Sequence, residues 1–374
     1  MVCGVAMKVA FVADTHFGYS RFEEDALEQG RRAILDAAEK ADVIVLGGDI
    51  FDVRVPRLET LAEVAELLKE ANGMLERKAG GKITGGGLVL GIHGTHERRG
   101  RDSLNPVQMM ARLGLLLDLH NRTVVLRRGE EAVGFSGLGG IPDDLVSDAL
   151  KRLSCKPQEG AVNFFIFHQT MKEYVPEAPG LASLDELPEG YDWHLCGHMH
   201  GRAEHLGGKL LIPGSTVITQ LREDEAQKKG YYVIDTVWKK AEFVEIESRP
   251  FVLARIEATG EGAAEIRAMI ETEISKIMAR GWKQKPIIRI VVEGSMASSD
   301  AGMEGFERED AIVYVEMQAE GATLAQEIEK LRLSRMQRAT PAELASARLR
   351  ENASKFGISA ERADELYQQF LNQE

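Results

Sequence analysis

The sequence predicts an α/β fold of packed β-sheets flanked by helices, with a small α+β domain and a helical tail behind it. Three observations lead there. From residue 7 to about 237, short β-branched runs alternate with helical segments and Gly-rich turns, the rhythm of an α/β domain. After about Arg249 the order becomes strand, long helix, strand, strand. The length of 374 residues suits two to three domains at roughly 150 residues each, and 44% hydrophobic with 28% charged residues is ordinary globular usage.

Residues 8–12, 43–46, 88–92, 164–167 and 193–195 are apolar almost throughout, which suits strands covered on both faces. Leu61, Val64, Leu67 and Leu68 recur at helical spacing and predict a helix from about Glu59 with one core-facing stripe. Residues 80–87 hold five glycines and read as a flexible insertion loop; no Lys-Ser or Lys-Thr follows to make a phosphate cradle. In the second part, 251–256, 287–292 and 312–315 read as strands and 263–278 as a helix, with a Gly-, Ser- and acid-rich loop over 295–310. The last fifty residues read as helices: Thr340, Pro341 and Glu343 supply an N-cap, a first-turn proline and a capping-box acid. Leu366 and Phe370, with Ala363 and Tyr367, give the final helix an apolar face that needs a partner, either this chain's own body or another chain.

Cys3, Cys155 and Cys196 are odd in number and widely spaced, so neither a disulfide framework nor a thiolate zinc site is expected. The apolar N-terminus lacks a basic leader region and reads as a first strand. No apolar run approaches the roughly 20 residues that cross a bilayer, and a cytoplasmic location without membrane contact is expected. The net charge of -13, from 46 basic and 59 acidic residues, disfavours a polyanionic partner unless positive charge is locally concentrated.

Five segments carry the chemistry: Asp14-Thr15-His16, Gly48-Asp49, Gly94-Thr95-His96, His168 and Gly197-His198-Met199-His200. One such segment is common by chance, but each of these stands at the carboxyl end of an apolar strand, where open α/β sheets bind ligands. Mixed imidazole and carboxylate donors suit manganese, iron or zinc. Asp14 and His16, two apart on an extended segment, reach the same ion, as do His198 and His200 or each a different one of a pair. Asp49 is placed to bridge two ions about 3.5–4 Å apart, an arrangement suited to in-line displacement at a phosphoester.

In this order the segments DTH, GGDIFD, GTHE, HQT and GHMH resemble the D-x-H, G-D-x-x-D, G-N-H-[DE] and G-H-x-H series of the calcineurin-like metallophosphoesterases. Within that superfamily, IFDVRVP, HQT and IPGSTVITQLREDEAQKKGYYVID resemble the SbcD-type double-strand-break repair nucleases, called the meiotic-recombination-eleven nuclease in eukaryotes, with an archaeal character. The run SRPFVLARI resembles the start of that family's DNA-capping domain.

The resemblance implies a nuclease domain over 1–248 with the family's two-sheet sandwich, a capping domain over 249–320 and a tail over 321–374 that docks on an SMC-like ABC-type ATPase. It implies two Mn(II) ions per chain, one held by Asp14, His16, Asp49 and His200, the other by Asp49, His168 and His198. His96 takes the place of the catalytic histidine, and the implied reaction is exonuclease and endonuclease cleavage at DNA ends by a homodimer.

Thr95 departs from the pattern, which has Asn as a ligand of the second metal; its hydroxyl either binds directly, holds a bridging water, or leaves that site weak. Asp52 either orients a ligand or substrate or makes a structural hydrogen bond. His93, His120, His194 and His205 match no ligand position, and Ser215 reads as a turn cap. Arg98, Arg99 and Arg101 follow the His96 motif, and with the pairs Arg127–Arg128 and Lys228–Lys229 they are the candidate contacts to the DNA backbone. Two further readings stay open: another calcineurin-like phosphatase or phosphodiesterase, and a catalytically weak DNA-end tether that scaffolds the ATPase.

Overall fold

In the computed structural model, described for residues 6–100, 103–174, 183–295, 306 and 308–319, the apolar runs become the centres of two large sheets. The chain runs β1 (Lys8–Val12), α1 (Glu23–Lys40), β2 (Val43–Leu46), α2 (Leu58–Ala79), β3 (Ile83–Thr84), β4 (Val89–Gly91), α3 (Pro106–Arg112), β5 (Leu117–Asp118), β6 (Thr123–Arg128), β7 (Glu131–Leu138), α4 (Val146–Lys151), β8 (Val162–His168), β9 (Trp193–Gly197), β10 (Ala203–His205), β11 (Leu210–Ile212), β12 (Gly230–Asp235) and β13 (Lys240–Glu245). The first sheet has the order β13-β12-β1-β2-β4-β5, and the second β10-β11-β9-β8-β7-β6-β3.

The first sheet is parallel over β1-β2-β4-β5, with antiparallel strands β12 and β13 on one side only; the second is parallel over β11-β9-β8-β7, with antiparallel strands at both edges. Phe11, Leu46 and Leu90 of the first sheet share one buried cluster with Phe135, Phe164, Ile166 and Leu195 of the second, which makes the pair a sandwich. On α2 the predicted stripe is buried at Val64, Leu67 and Leu68 and extends to Ala71 and Leu75. Each such large aliphatic contributes about 1.5–3 kcal/mol. The helix stops at Gly80, whose left-handed conformation (φ 55°) lets its N–H bond Glu76 O.

The glycine-rich segment 80–87 is not the free loop the composition suggests. It contains β3, whose Ile83 and Thr84 pair with Arg128 and Arg127 of β6. Gly85 is required there, since a Cβ at that position meets Val125 O at 2.1 Å.

The second part holds β14 (Phe251–Thr259), α5 (Ala263–Met278), β15 (Ile287–Ser295) and β16 (Ile312–Ala319), in a sheet of order β14-β15-β16. The helix has the bounds its sequence predicts and buries Ile266, Ile270, Ile274 and Ile277. By compactness, one unit takes in the chain to Ala254 together with Thr272–Ile290 and Glu304–Tyr314, and the other begins with Arg255–Glu271. This division cuts α5 and so does not follow the expected boundary at 248. No helix among the described residues is long and apolar enough to cross a membrane. The tail over 321–374 and most of the 295–310 loop lie outside the described residues.

Candidate metal centre

All five predicted segments leave the carboxyl ends of parallel strands: Asp14 and His16 follow β1, Asp49 follows β2, Thr95 and His96 follow β4, His168 ends β8, and His198 and His200 follow β9. Backbone bonds tie the turns together. Asp14 N–H donates to Gly48 O (3.1 Å) and His16 N–H to Asp49 O (3.0 Å). His198 N–H donates to both Asp14 carboxylate oxygens (3.0 Å each) and His96 N–H to Asp49 Oδ1 (2.9 Å). Asp14, His16, Asp49 and His198 all adopt positive φ, between 45° and 79°. Such conformations cost about 1–3 kcal/mol each and persist where surrounding structure over-determines them, as at functional sites.

The side chains converge in two adjoining groups, Asp14 with His16 and His200, and Asp49 with His168 and His198, with the donor atoms of each group within 4.8 Å of one another. Asp14, His16, Asp49 and His168 are no more than 1% exposed. In the first group His16 Nε2 and His200 Nε2 face each other at 3.2 Å. His16 Nδ1–H donates to Asp52 Oδ1 (3.0 Å) and His200 Nδ1–H to Thr219 Oγ1 (2.6 Å), so both Nε2 atoms present lone pairs. Two imidazole lone pairs and a carboxylate meeting in a buried space fit a divalent cation and are mutually unfavourable without one.

The second group has His168 Nε2 3.1 Å from Asp49 Oδ2 and 3.2 Å from His198 Nδ1, while His168 Nδ1–H donates to Gly47 O (2.8 Å). Burial opposes a charge on His168, yet Asp49 and Asp14 hold it up at about 9. Burial, reinforced by Asp49, pushes Asp14 up to about 6, and burial pushes His198 down to about 3. A proton on His168 therefore stands where a cation fits.

Asp52 acts twice: its carboxylate holds His16, and its carbonyl accepts from His96 Nδ1–H at 2.6 Å. That bond leaves Nε2 as the basic nitrogen of His96, which lines the open cleft with Asp49, His198 and His200. Glu97, fully buried, accepts from Gly94 N–H (2.7 Å) and Phe51 N–H (2.8 Å), joining the GTHE turn to the GDIFD turn. Burial and the nearby Asp49 raise its carboxyl to about 8. Thr95 Oγ1 lies 3.4 Å from Asp49 Oδ2 and 3.5 Å from His198 Nδ1, so the departing residue still places an oxygen at the second group.

The candidate DNA contacts divide. Arg98 is half-buried and Arg99 exposed beside the His96 turn, with Arg99 donating to Leu104 O. Arg101 lies outside the described residues. Arg127 and Arg128 end β6, opposite the start of β7, and are therefore at the other end of the second sheet from His168, about 20 Å away at a strand's rise; Arg128 is paired with Asp42 (2.7 Å). Lys228 is exposed and paired with Glu245 (2.7 Å). Lys229 corrects the surface reading: it is 3% exposed and donates to Ser215 Oγ (2.9 Å) and His200 O (3.4 Å).

Ser215 Oγ donates to Val217 O (2.6 Å), the turn role its sequence suggests. His120, His194 and His205 make local bonds, to Gly139 N–H, Pro188 O and Tyr174 Oη. Sequence reasoning missed Thr219 and Glu225 behind His200, and Thr170, Gln220 and Arg222 in the cleft wall. Thr170 falls in the HQT segment and the others in the run IPGSTVITQLREDEAQKKGYYVID, both of which carry the family resemblance without a role for these residues.

The sequence model of the calcineurin-like phosphoesterases matches residues 7–202. Among curated proteins, the chain is similar to the DNA double-strand break repair protein Mre11 of Methanopyrus kandleri, 26% identical over 326 residues, covering 79% of this chain and 66% of that one. Mre11 of Saccharolobus solfataricus is 26% identical over 313 residues (79% and 77%), and the double-strand break repair protein mre-11 of Caenorhabditis elegans 27% over 289 (63% and 40%). The chain thus spans less than two thirds of the first of these relatives and well under half of the nematode protein. The repair-nuclease resemblance read from the motifs is matched by the names of these relatives. With the family model covering more than half of the chain and every one of its motif segments up to His200 converging on one buried centre, this chain belongs to the calcineurin-like phosphoesterase family.

Proposed function

We propose that the protein is a manganese-dependent DNA nuclease that processes the ends of double-strand breaks, by exonuclease and endonuclease cleavage, together with an SMC-like ATPase. The observation that carries this reading is the meeting of two adjoining His/Asp groups at the ends of four parallel strands; the relatives named for double-strand break repair direct it towards DNA. Asp14, His16, Asp49 and His200 would hold one ion, and Asp49, His168 and His198 the other, with the Thr95 hydroxyl beside the second. When bound, such a pair of ions supplies Lewis-acid activation of water and offsets charge on a phosphodiester. The mixed nitrogen and oxygen donors suit manganese, iron or zinc, and the choice of manganese rests on the family resemblance.

The chain's own residues do the rest. His96, with Nδ1–H fixed on Asp52 O, presents a basic Nε2 into the cleft and is positioned to move a proton at the leaving oxygen. Arg222, in the cleft wall and paired there with Asp224 (3.4 Å), and Arg98 and Arg99, after the His96 turn, are the basic residues proposed to meet a DNA backbone. Residues 249–320 are proposed as the DNA cap, 321–374 as the ATPase-docking tail, and the working form as a cytoplasmic homodimer. An assay of linear duplex DNA with manganese tests the core of this: nucleotide release is expected from the wild type, and a loss of about 10²–10⁴-fold from His96→Ala. Cleavage of small phosphate esters in preference to DNA ends points instead to a phosphatase.

A further inference from the structure

Beneath the first metal group, the Thr219 contact to His200 belongs to a larger buried polar network. Glu225, 1% exposed, accepts from Thr219 N–H (2.9 Å), Gln220 N–H (2.6 Å) and Thr219 Oγ1 (2.9 Å). Because the threonine hydroxyl spends its proton on Glu225, its oxygen is free to accept from His200 Nδ1–H at 2.6 Å. Lys229 closes the network from the other side, donating to Ser215 Oγ and to the backbone carbonyl of His200. Ser215 N–H donates to that same carbonyl (3.2 Å), and the neighbouring Thr216 N–H donates to Asp14 O (3.3 Å). Residues 215–229 thus grip both the ring and the main chain of His200, and the main chain of Asp14.

A buried lysine and a buried glutamate are costly to desolvate and are kept only where they are paired and hydrogen-bonded. Among the Glu225 bonds, the one through Thr219 to His200 ends on the ring's far nitrogen. The Glu225 carboxylate also lies 3.5 Å from His200 Nδ1 itself.

We propose that Glu225 and Lys229 are positioning residues for the metal centre. Glu225, through Thr219, fixes His200 as the Nδ1–H tautomer with Nε2 aimed at the first ion, and Lys229 fixes its main chain. The inference rests on the reading of His200 as a metal ligand, and the test separates the two.

The test uses the full chain and manganese(II) chloride alone, with calorimetric affinities for wild type, Thr219→Val, Thr219→Ser, Glu225→Gln and His200→Ala. A second readout is the ¹⁵N chemical shift of the His200 ring in metal-free protein. Thr219→Val and Glu225→Gln are expected to weaken one of two manganese sites by about 10–100-fold and to shift the ring away from pure Nδ1–H. Thr219→Ser, which restores the hydroxyl, is expected to recover both. Wild-type affinity and an unchanged ring spectrum in a folded Thr219→Val overturn the inference while leaving His200 a ligand. Wild-type affinity in His200→Ala overturns the ligand reading itself, and the inference with it. If Thr219→Val does not fold, the Glu225→Gln pair of measurements decides in the same way.

Discussion

His168 and its proton set the behaviour of the second group at the scale of single residues. Because Asp49 and Asp14, working against burial, hold His168 up at about 9, a cation entering below that pH displaces a proton. Manganese titrations at neutral pH in two buffers of different ionisation enthalpy should give different observed heats; equal heats contradict the assignment. Thr95 makes a second prediction. Its hydroxyl lies 3.4 Å from Asp49 Oδ2, so Thr95→Val should weaken the second site about tenfold or more, and Thr95→Asn, with a longer oxygen donor, should tighten it.

Glu225 makes a third prediction, about acid stability. Its folded pKa of about 2 lies below the ordinary 4.5, so its contribution, about 3 kcal/mol from such a shift, is complete above pH 4.5 and lost as pH falls towards 2. Denaturation measured across that window should show the wild type losing its advantage over Glu225→Gln; a constant difference contradicts the coupling. The ligands themselves were legible because each follows an apolar strand, a local signal. Glu225 and Lys229 were not, because their partners lie up to 29 positions away along an irregular stretch whose order comes only from tertiary bonds. Lys229 even read as a surface cation, since adjacency to Lys228 says nothing about which of two neighbours turns inward.

Among the elements, β1, β2, β8 and β9 announce themselves because parallel strands covered on both faces are apolar almost throughout. The antiparallel edges do not: β13 reads Lys-Ala-Glu-Phe-Val-Glu and is half exposed, and β3 is two residues inside a glycine run. These strands exist because a neighbour offers a ladder, a non-local cause that periodicity does not register. The motif turns are tighter still. A Cβ on Gly94 meets Asp49 Oδ1 at 2.0 Å and Asp49 N at 2.3 Å, and the latter is backbone that has nowhere to go. Gly94→Ala is therefore expected to cost more than about 3 kcal/mol in chemical denaturation or to abolish metal binding in whatever folds; near-wild-type values in both contradict the packing of the two turns.

The whole molecule carries a net charge of -13, which disfavours DNA until its distribution is considered. Asp14 and Asp49 are buried carboxylates whose charge the two proposed divalent ions would more than offset, and Arg222 lies in the cleft wall while Arg127 and Arg128 sit at the far end of a sheet. DNA binding by the chain alone should therefore be weak and fall steeply with salt. The central claim is that the two His/Asp groups form one hydrolytic centre for DNA, and one comparison tests it most directly: manganese-dependent nucleotide release from linear duplex DNA by the wild type and by Asp49→Asn, with DNA binding measured alongside. The account predicts release by the wild type, its abolition by chelation, and its loss in Asp49→Asn without loss of DNA binding. Cleavage that survives in Asp49→Asn, or no cleavage by the wild type with or without the proposed ATPase partner, contradicts it.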